Sequence, residues 1–130
     1  MVLDTSALLA ILLGEPSGER LLTAVEADRT RLVSAATVVE ASLVLLARFG
    51  EAGEPALDRL LRSMGAEVVA VGEEQVALAR DGALRFGRGR HAAALNYGDC
   101  FSYALAVDRG EPLLFVGDDF SRTDVEVCRW

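Results

Sequence analysis

The sequence predicts an α/β domain in which a mainly parallel sheet lies between two layers of helices. Three observations predict it. Short apolar runs alternate with longer segments whose apolar residues recur at helical spacing. Glycine and proline fall between these segments, where turns are needed. The length of 130 residues, 52% of them hydrophobic, suits a single domain spanning residues 1–130, with a core of its own. Strands separated by helices cannot pair as hairpins, so the sheet they form is parallel and covered on both faces.

The elements follow in order. Met1–Asp4 reads as a short apolar strand and Thr5–Leu13 as a helix, which Gly14, Pro16, Ser17 and Gly18 interrupt. Glu19–Ala27 resumes as a helix through Leu21, Leu22 and Val25. Arg31–Ser34 is a strand, and Thr37–Arg48 a buried helix, its length outweighing its β-branched content. Gly50 and Gly53 end it. Pro55–Met64 carries Leu57, Leu60, Leu61 and Met64 on one side and stops at Gly65. Glu67–Val71 is a strand, Glu73–Phe86 a helix, and the glycines and arginines that follow make an irregular segment. Asp99–Asp108 is the last long helix, closed by Gly110. Leu113–Val116 is a buried strand, Gly117–Thr123 a turn-rich loop, and Val125–Val127 a candidate edge strand.

Composition excludes several classes. No apolar run approaches the ~18 residues of a membrane span. The apolar start contains Asp4 and lacks a basic leader, so no signal peptide is expected and the expected location is the cytoplasm. Cys100 and Cys128 have no metal-ligand spacing and read as reduced thiols. The net charge of −7 runs against phosphate binding, unless divalent cations offset carboxylates set in apolar surroundings. All 13 basic residues are arginine, which removes any mechanism built on lysine. Arginine still grips phosphate oxygens in pairs.

The carboxylates are the informative residues. Ligands of open α/β sheets bind beyond the carboxyl ends of the strands. Asp4 ends the first strand; Asp118 and Asp119 follow the last one across a single glycine. Asp99 begins a helix, and Glu40 lies one turn into another, among Val38, Val39, Ala41, Leu43 and Val44. Singly, each has an ordinary reading: Asp4 and Asp99 as helix caps, Asp118 and Asp119 as turn formers. Together, four separated segments deliver acids to one rim. Such a cluster resists full ionisation unless a cation joins it. With oxygen ligands and no histidine or cysteine among them, the ion is magnesium or manganese rather than zinc. His91, among arginines, reads as a surface residue or a phosphate contact.

These stretches resemble the PIN-domain nucleases, in particular the VapC toxins of type II toxin–antitoxin pairs. The similar segments are VLDTSALLA, VVEASLVL around Glu40, NYGDCFSYALA around Asp99 and LLFVGDDFSRTDV, which together cover essentially the whole chain. The resemblance implies a three-layer α/β/α PIN-like domain whose acidic pocket holds one or two Mg2+ or Mn2+ ions. It assigns catalytic and metal-binding roles to Asp4, Glu40 and Asp99. The family's aspartate before phenylalanine matches Asp119 rather than Asp118, which remains a supporting residue. Thr5 and Ser6 match the polar pair that orients the site. A homodimer and a cognate VapB-like antitoxin, whose C-terminal tail obstructs the site, are implied as well.

The expected chemistry is metal-assisted hydrolysis of an RNA phosphodiester, leaving a 5′-phosphate and a 3′-hydroxyl. Arg85, Arg88 and Arg90, with His91, are candidate phosphate contacts or a solvated loop. Tyr97, Phe101 and Tyr103 either stack on a base or belong to the core or an interface. A haloacid-dehalogenase phosphatase needs an aspartate where Ser6 stands, and it and a receiver domain both need a lysine. The remaining alternative is a non-catalytic binding module of the same fold, acting through RNA or antitoxin.

Overall fold

The computed structural model describes all 130 residues. Strand β1 (Val2–Leu3) is followed by helices α1 (Thr5–Leu12) and α2 (Gly18–Ala27), then by β2 (Leu32–Ser34) and α3 (Ala35–Phe49). A 3-10 turn, Gly50–Gly53, leads into α4 (Glu54–Ser63), β3 (Glu67–Val69), α5 (Glu73–Phe86), α6 (Tyr97–Arg109) and β4 (Leu113–Leu114). A second 3-10 turn covers Phe120–Arg122. The sheet runs β3-β2-β1-β4 and every pairing is parallel.

Side chains alternate across a strand, so each short strand feeds two cores. Val2, Leu32 and Leu113 pack with residues of α5 and α6, including Ala79, Phe86, Tyr103 and Leu105. Their neighbours Leu3, Val33 and Leu114 pack on the other face with Leu8, Leu21, Ala41, Leu45 and Leu57 of α1 to α4. This two-sided burial makes the strands read as unbroken apolar runs, and it gives the expected α/β/α layering.

Four local expectations need correction. The last long helix starts at Tyr97, not Asp99, because Asn96 is its cap. Helix α3 is amphipathic rather than buried: Val39, Leu43, Leu46 and Phe49 are 58%, 60%, 46% and 54% exposed. The third and fourth strands stop short, at Val69 and Leu114. Val116 leaves the ladder and donates its backbone N–H to Ser6 Oγ at 2.9 Å. Val125–Val127 is not a strand; it makes a single parallel bridge, Leu113 to Val127. Both cysteines are free thiols, Cys100 buried and Cys128 half-buried.

Candidate active site

Asp4 is both a helix cap and the deepest acid of the site. It leaves β1 in extended backbone, and its Oδ2 accepts from Ser6 N at 2.9 Å and Ser6 Oγ at 2.6 Å. Its Oδ1 accepts from Ser102 Oγ of α6 at 2.7 Å. The residue is 3% exposed, so both oxygens have donors where water is scarce. Ser102 Oγ also lies 3.2 Å from Thr37 Oγ1 of α3. Since Ser102 gives its proton to Asp4, Thr37 donates to Ser102. A buried hydroxyl chain thus fixes the carboxylate from two other helices.

Asp99 is the third residue of α6 and part of a capping box. Its backbone N–H donates to Asn96 Oδ1 at 3.1 Å, and its own Oδ2 accepts from Asn96 N at 2.7 Å. One carboxylate oxygen is thereby anchored, and Oδ1 makes no protein hydrogen bond. Glu40, half-buried on α3, accepts from Thr5 Oγ1. Its carboxylate lies against Gly98, where any Cβ would overlap it. Glycine at position 98 is therefore what lets α6 approach Glu40. Asp119 stands exposed before the second 3-10 turn. The neighbouring Asp118 faces Arg122 Nη2 at 4.0 Å.

The electrostatics join these residues. Burial pushes the Asp99 carboxyl up to about 6, against the opposing hydrogen bond from Asn96 N–H, and the charges of Asp4, Asp119 and Glu40 add to the rise. None of the four acids forms an ion pair with an arginine or the N-terminus. The donors are all oxygen, which suits Mg2+ or Mn2+. No three acidic, histidine or cysteine side chains meet closely enough to ligate one ion directly.

The arginines expected near phosphate separate into two groups. Arg85 lies in α5, with Nη2 2.6 Å from Asp124 Oδ2, Nη1 3.2 Å from Asp81 Oδ2 and Nη1 3.2 Å from the Tyr103 hydroxyl. Its guanidinium is committed to the fold. Arg88 and Arg90 are exposed and form no ion pair. The imidazole of His91 closes a turn by accepting from Ala93 N at 3.1 Å, and its ring meets the edge of Phe86. Among the aromatics, Tyr103 is core, Phe101 half-buried and Tyr97 83% exposed. Sequence reasoning passed over Thr37, Asn96, Gly98 and Ser102. Thr37 and Ser102 each stand three residues from an acid on the same helix, Glu40 and Asp99, which is the spacing that shares a face.

Four carboxylates near the carboxyl rim of a parallel sheet, none of them paired with an arginine, define the class as an α/β/α protein with an acidic site. The model of the PIN domain matches residues 1–126. Ribonuclease VapC30 of Mycobacterium tuberculosis is 53% identical over 125 residues, covering 96% of this chain and 95% of that protein. The fold is similar to that of VapC20 from M. tuberculosis, described as a Sarcin-Ricin loop cleaving toxin, with a TM-score of 0.79, 20% identity and 98% of both chains covered. VapBC2 from Rickettsia felis, bound to a DNA fragment from its promoter, gives 0.73 at 16% identity over 98% of this chain and 96% of that one. The chain belongs to the PIN-domain family and, within it, to the VapC ribonucleases.

Proposed function

We propose that this ribonuclease is the toxin of a VapBC-type pair, cutting RNA internally with Mg2+ or Mn2+ held among Asp4, Asp99, Glu40 and Asp119. The observation that carries the reading is the Asp99 carboxyl, pushed up to about 6 by burial and by three other acids, with no arginine to offset them. Asp4 and Asp99 would be the principal ligands, and Glu40 and Asp119 would bind directly or through water. The ion supplies a water of lowered pKa and offsets charge that develops on the phosphate oxygens.

The chain's own residues do the rest. Ser6 and Ser102 hold the Asp4 carboxylate in place through the hydrogen bonds they donate, and Thr37 positions Ser102 in turn. Asn96 fixes one Asp99 oxygen and leaves the other without a protein hydrogen bond. Thr5 and the Gly98 clearance set where Glu40 stops. Arg88 and Arg90, unpaired and exposed, are the cations available to RNA phosphates beyond the cut.

A VapB-like antitoxin is the proposed protein partner, with a homodimer of this chain as the toxin unit. The apolar stripe of α3 is the surface that favours a covering partner, and its first exposed residue, Val39, directly precedes Glu40. A tail lying along α3 therefore reaches the rim of the pocket.

The test is RNA cleavage by purified, antitoxin-free protein with Mn2+, Mg2+ or chelator, beside Asp4→Asn and Asp99→Asn. Metal-dependent cutting lost in both variants is the expected result. Tight RNA or antitoxin binding by folded, metal-loaded protein that cuts nothing would support the non-catalytic module instead.

A further inference from the structure

Beside the acidic cluster lies a cavity that the cleavage chemistry does not use. It occupies about 700 Å3 between α5 and the start of α6, with Val76, Ala79, Leu95, Cys100 and Phe101 among the apolar residues that line it. Tyr97 stands at its mouth, 83% exposed, on the same helical turn as Asp99. The Phe101 ring meets Tyr97 edge to face, centroids 5.0 Å apart, and so braces it. Arg80 and Arg88 also line the cavity. Neither has an ion pair, and neither side chain makes a hydrogen bond, although the chain carries a net charge of −7.

We propose that this cavity binds an unpaired nucleobase of the RNA next to the scissile phosphate, with Tyr97 as the stacking face and Arg80 and Arg88 on the flanking phosphates. The proposal rests on the acidic pocket being the site of RNA cleavage. Three features select this occupant. An aromatic ring left almost wholly in water gains most from a flat, apolar-faced partner. Two uncompensated guanidinium groups at an apolar hollow suit a ligand that is flat and anionic at its margins. Continuity supplies the third: Asn96 lines the cavity and also anchors Asp99, so a base held here is covalently close to a phosphate at the acids. The cavity is also of the size that encloses small aromatic ligands.

The test separates base recognition from cutting. Fluorescein-labelled oligoadenylate, oligouridylate and oligocytidylate are compared with a ribose-phosphate backbone of equal length lacking bases. Binding is read by anisotropy to wild-type protein, Tyr97→Ala, Tyr97→Phe and Arg88→Gln. At least one base-bearing probe should bind about tenfold tighter than the bare backbone. Tyr97→Ala should abolish that difference, Tyr97→Phe should keep it, and Arg88→Gln should weaken all probes alike and flatten their salt dependence. Tyr97 is exposed, so its replacement leaves the fold intact, which circular dichroism checks. Equal binding of base-bearing and bare probes, or a base preference unchanged in Tyr97→Ala, overturns the proposal. So does a wild-type dimer that dissociates in Tyr97→Ala, because the cavity would then be filled by a second copy. Base-dependent binding with no metal-dependent cutting would sink the nuclease reading and leave the cavity's role standing; cutting without base preference does the reverse.

Discussion

The acidic pocket and the network on α5 and α6 use the same kind of side chains and treat them in opposite ways. In the network, Arg85 stands between Asp81 and Asp124, and the Tyr103 hydroxyl donates to Asp124 Oδ1 at 3.0 Å. Against the upward push of partial burial, hydrogen bonds from Arg85 and Tyr103 keep the Asp124 carboxyl below its ordinary range. In the pocket, Asp99 is pushed up to about 6 and no arginine answers it. Paired charge on a half-exposed surface ties helices together. Unpaired charge of one sign, gathered at strand ends, weakens the fold and is retained where something cationic binds. The difference predicts opposite signs for removing an acid from each place.

The largest effect belongs to the pocket. Asp4→Asn and Asp99→Asn should each reduce RNA cleavage by roughly a hundredfold or more, measured at saturating Mn2+ with intact folding. Asp99→Asn should also raise the melting temperature of the metal-free protein, because the amide keeps a hydrogen-bonding oxygen without the buried charge. Lowered stability in that variant would mean that Asp99 serves mainly as a structural cap.

Next come residues that hold the acids without touching RNA. Ser102→Ala removes the donor to Asp4 Oδ1 and the acceptor for Thr37, and should cost about 10- to 100-fold in metal affinity or cleavage. Gly98→Ala puts a methyl group where the Glu40 carboxylate lies, and should displace that acid and reduce cleavage about tenfold or more. If Gly98→Ala cuts RNA normally, Glu40 is not needed at its present position.

The pH dependence sharpens the same contrast. Asp99 has a folded pKa near 6 against an ordinary value of 3.8. Between those values the folded protein keeps a proton that the unfolded chain releases, so this group's contribution to stability falls as pH rises through the window. Above it, a cation bound at the acids would offset the penalty. The melting temperature of metal-free wild type minus that of Asp99→Asn should therefore decline from about pH 4 to 6. Mn2+ at neutral pH should raise wild type more than the variant. A flat difference across the window would place Asp99 in ordinary solvent.

The four acids and the layered fold were legible in the chain because strand-end positions and apolar runs leave a direct mark. Asp4 sits immediately beyond an apolar strand, Asp119 a short loop past the apolar run that holds another, and Glu40 is an acid among valines. What supports them was not legible. Ser102 and Thr37 are small polar residues on helices, and only the packing of α3 against α6 shows that one donates to the other. Gly98 looks like a flaw in a helix start until Glu40 is seen to occupy its missing side chain. The Asn96 cap was readable in principle, since Asn96 and Asp99 stand at capping-box spacing. Arg85 was grouped with the loop arginines by proximity alone; its partner Asp124 is distant in sequence, and no local pattern announces the pair. The exposed face of α3 was hidden for a different reason: apolar residues left on the surface have the same composition as those that serve a core.

The smallest effect is expected at the network, from Tyr103→Phe. The substitution keeps the buried ring and removes only a hydroxyl, whose pKa burial and the bond to Asp124 push up to about 12. Arg85 and Asp124 keep their own contact at 2.6 Å, so the loss should be about 1 kcal/mol, read as a lower urea midpoint with an unchanged slope. Cleavage should stay within a few-fold of wild type. The variant is informative because Tyr103 and Ser102 are adjacent on α6 and serve the two regions separately: Ser102 holds Asp4, and Tyr103 holds Asp124. If Tyr103→Phe instead lost cleavage while keeping its stability, the helix would be transmitting the network's position to the acids, and the two regions would be one device rather than two.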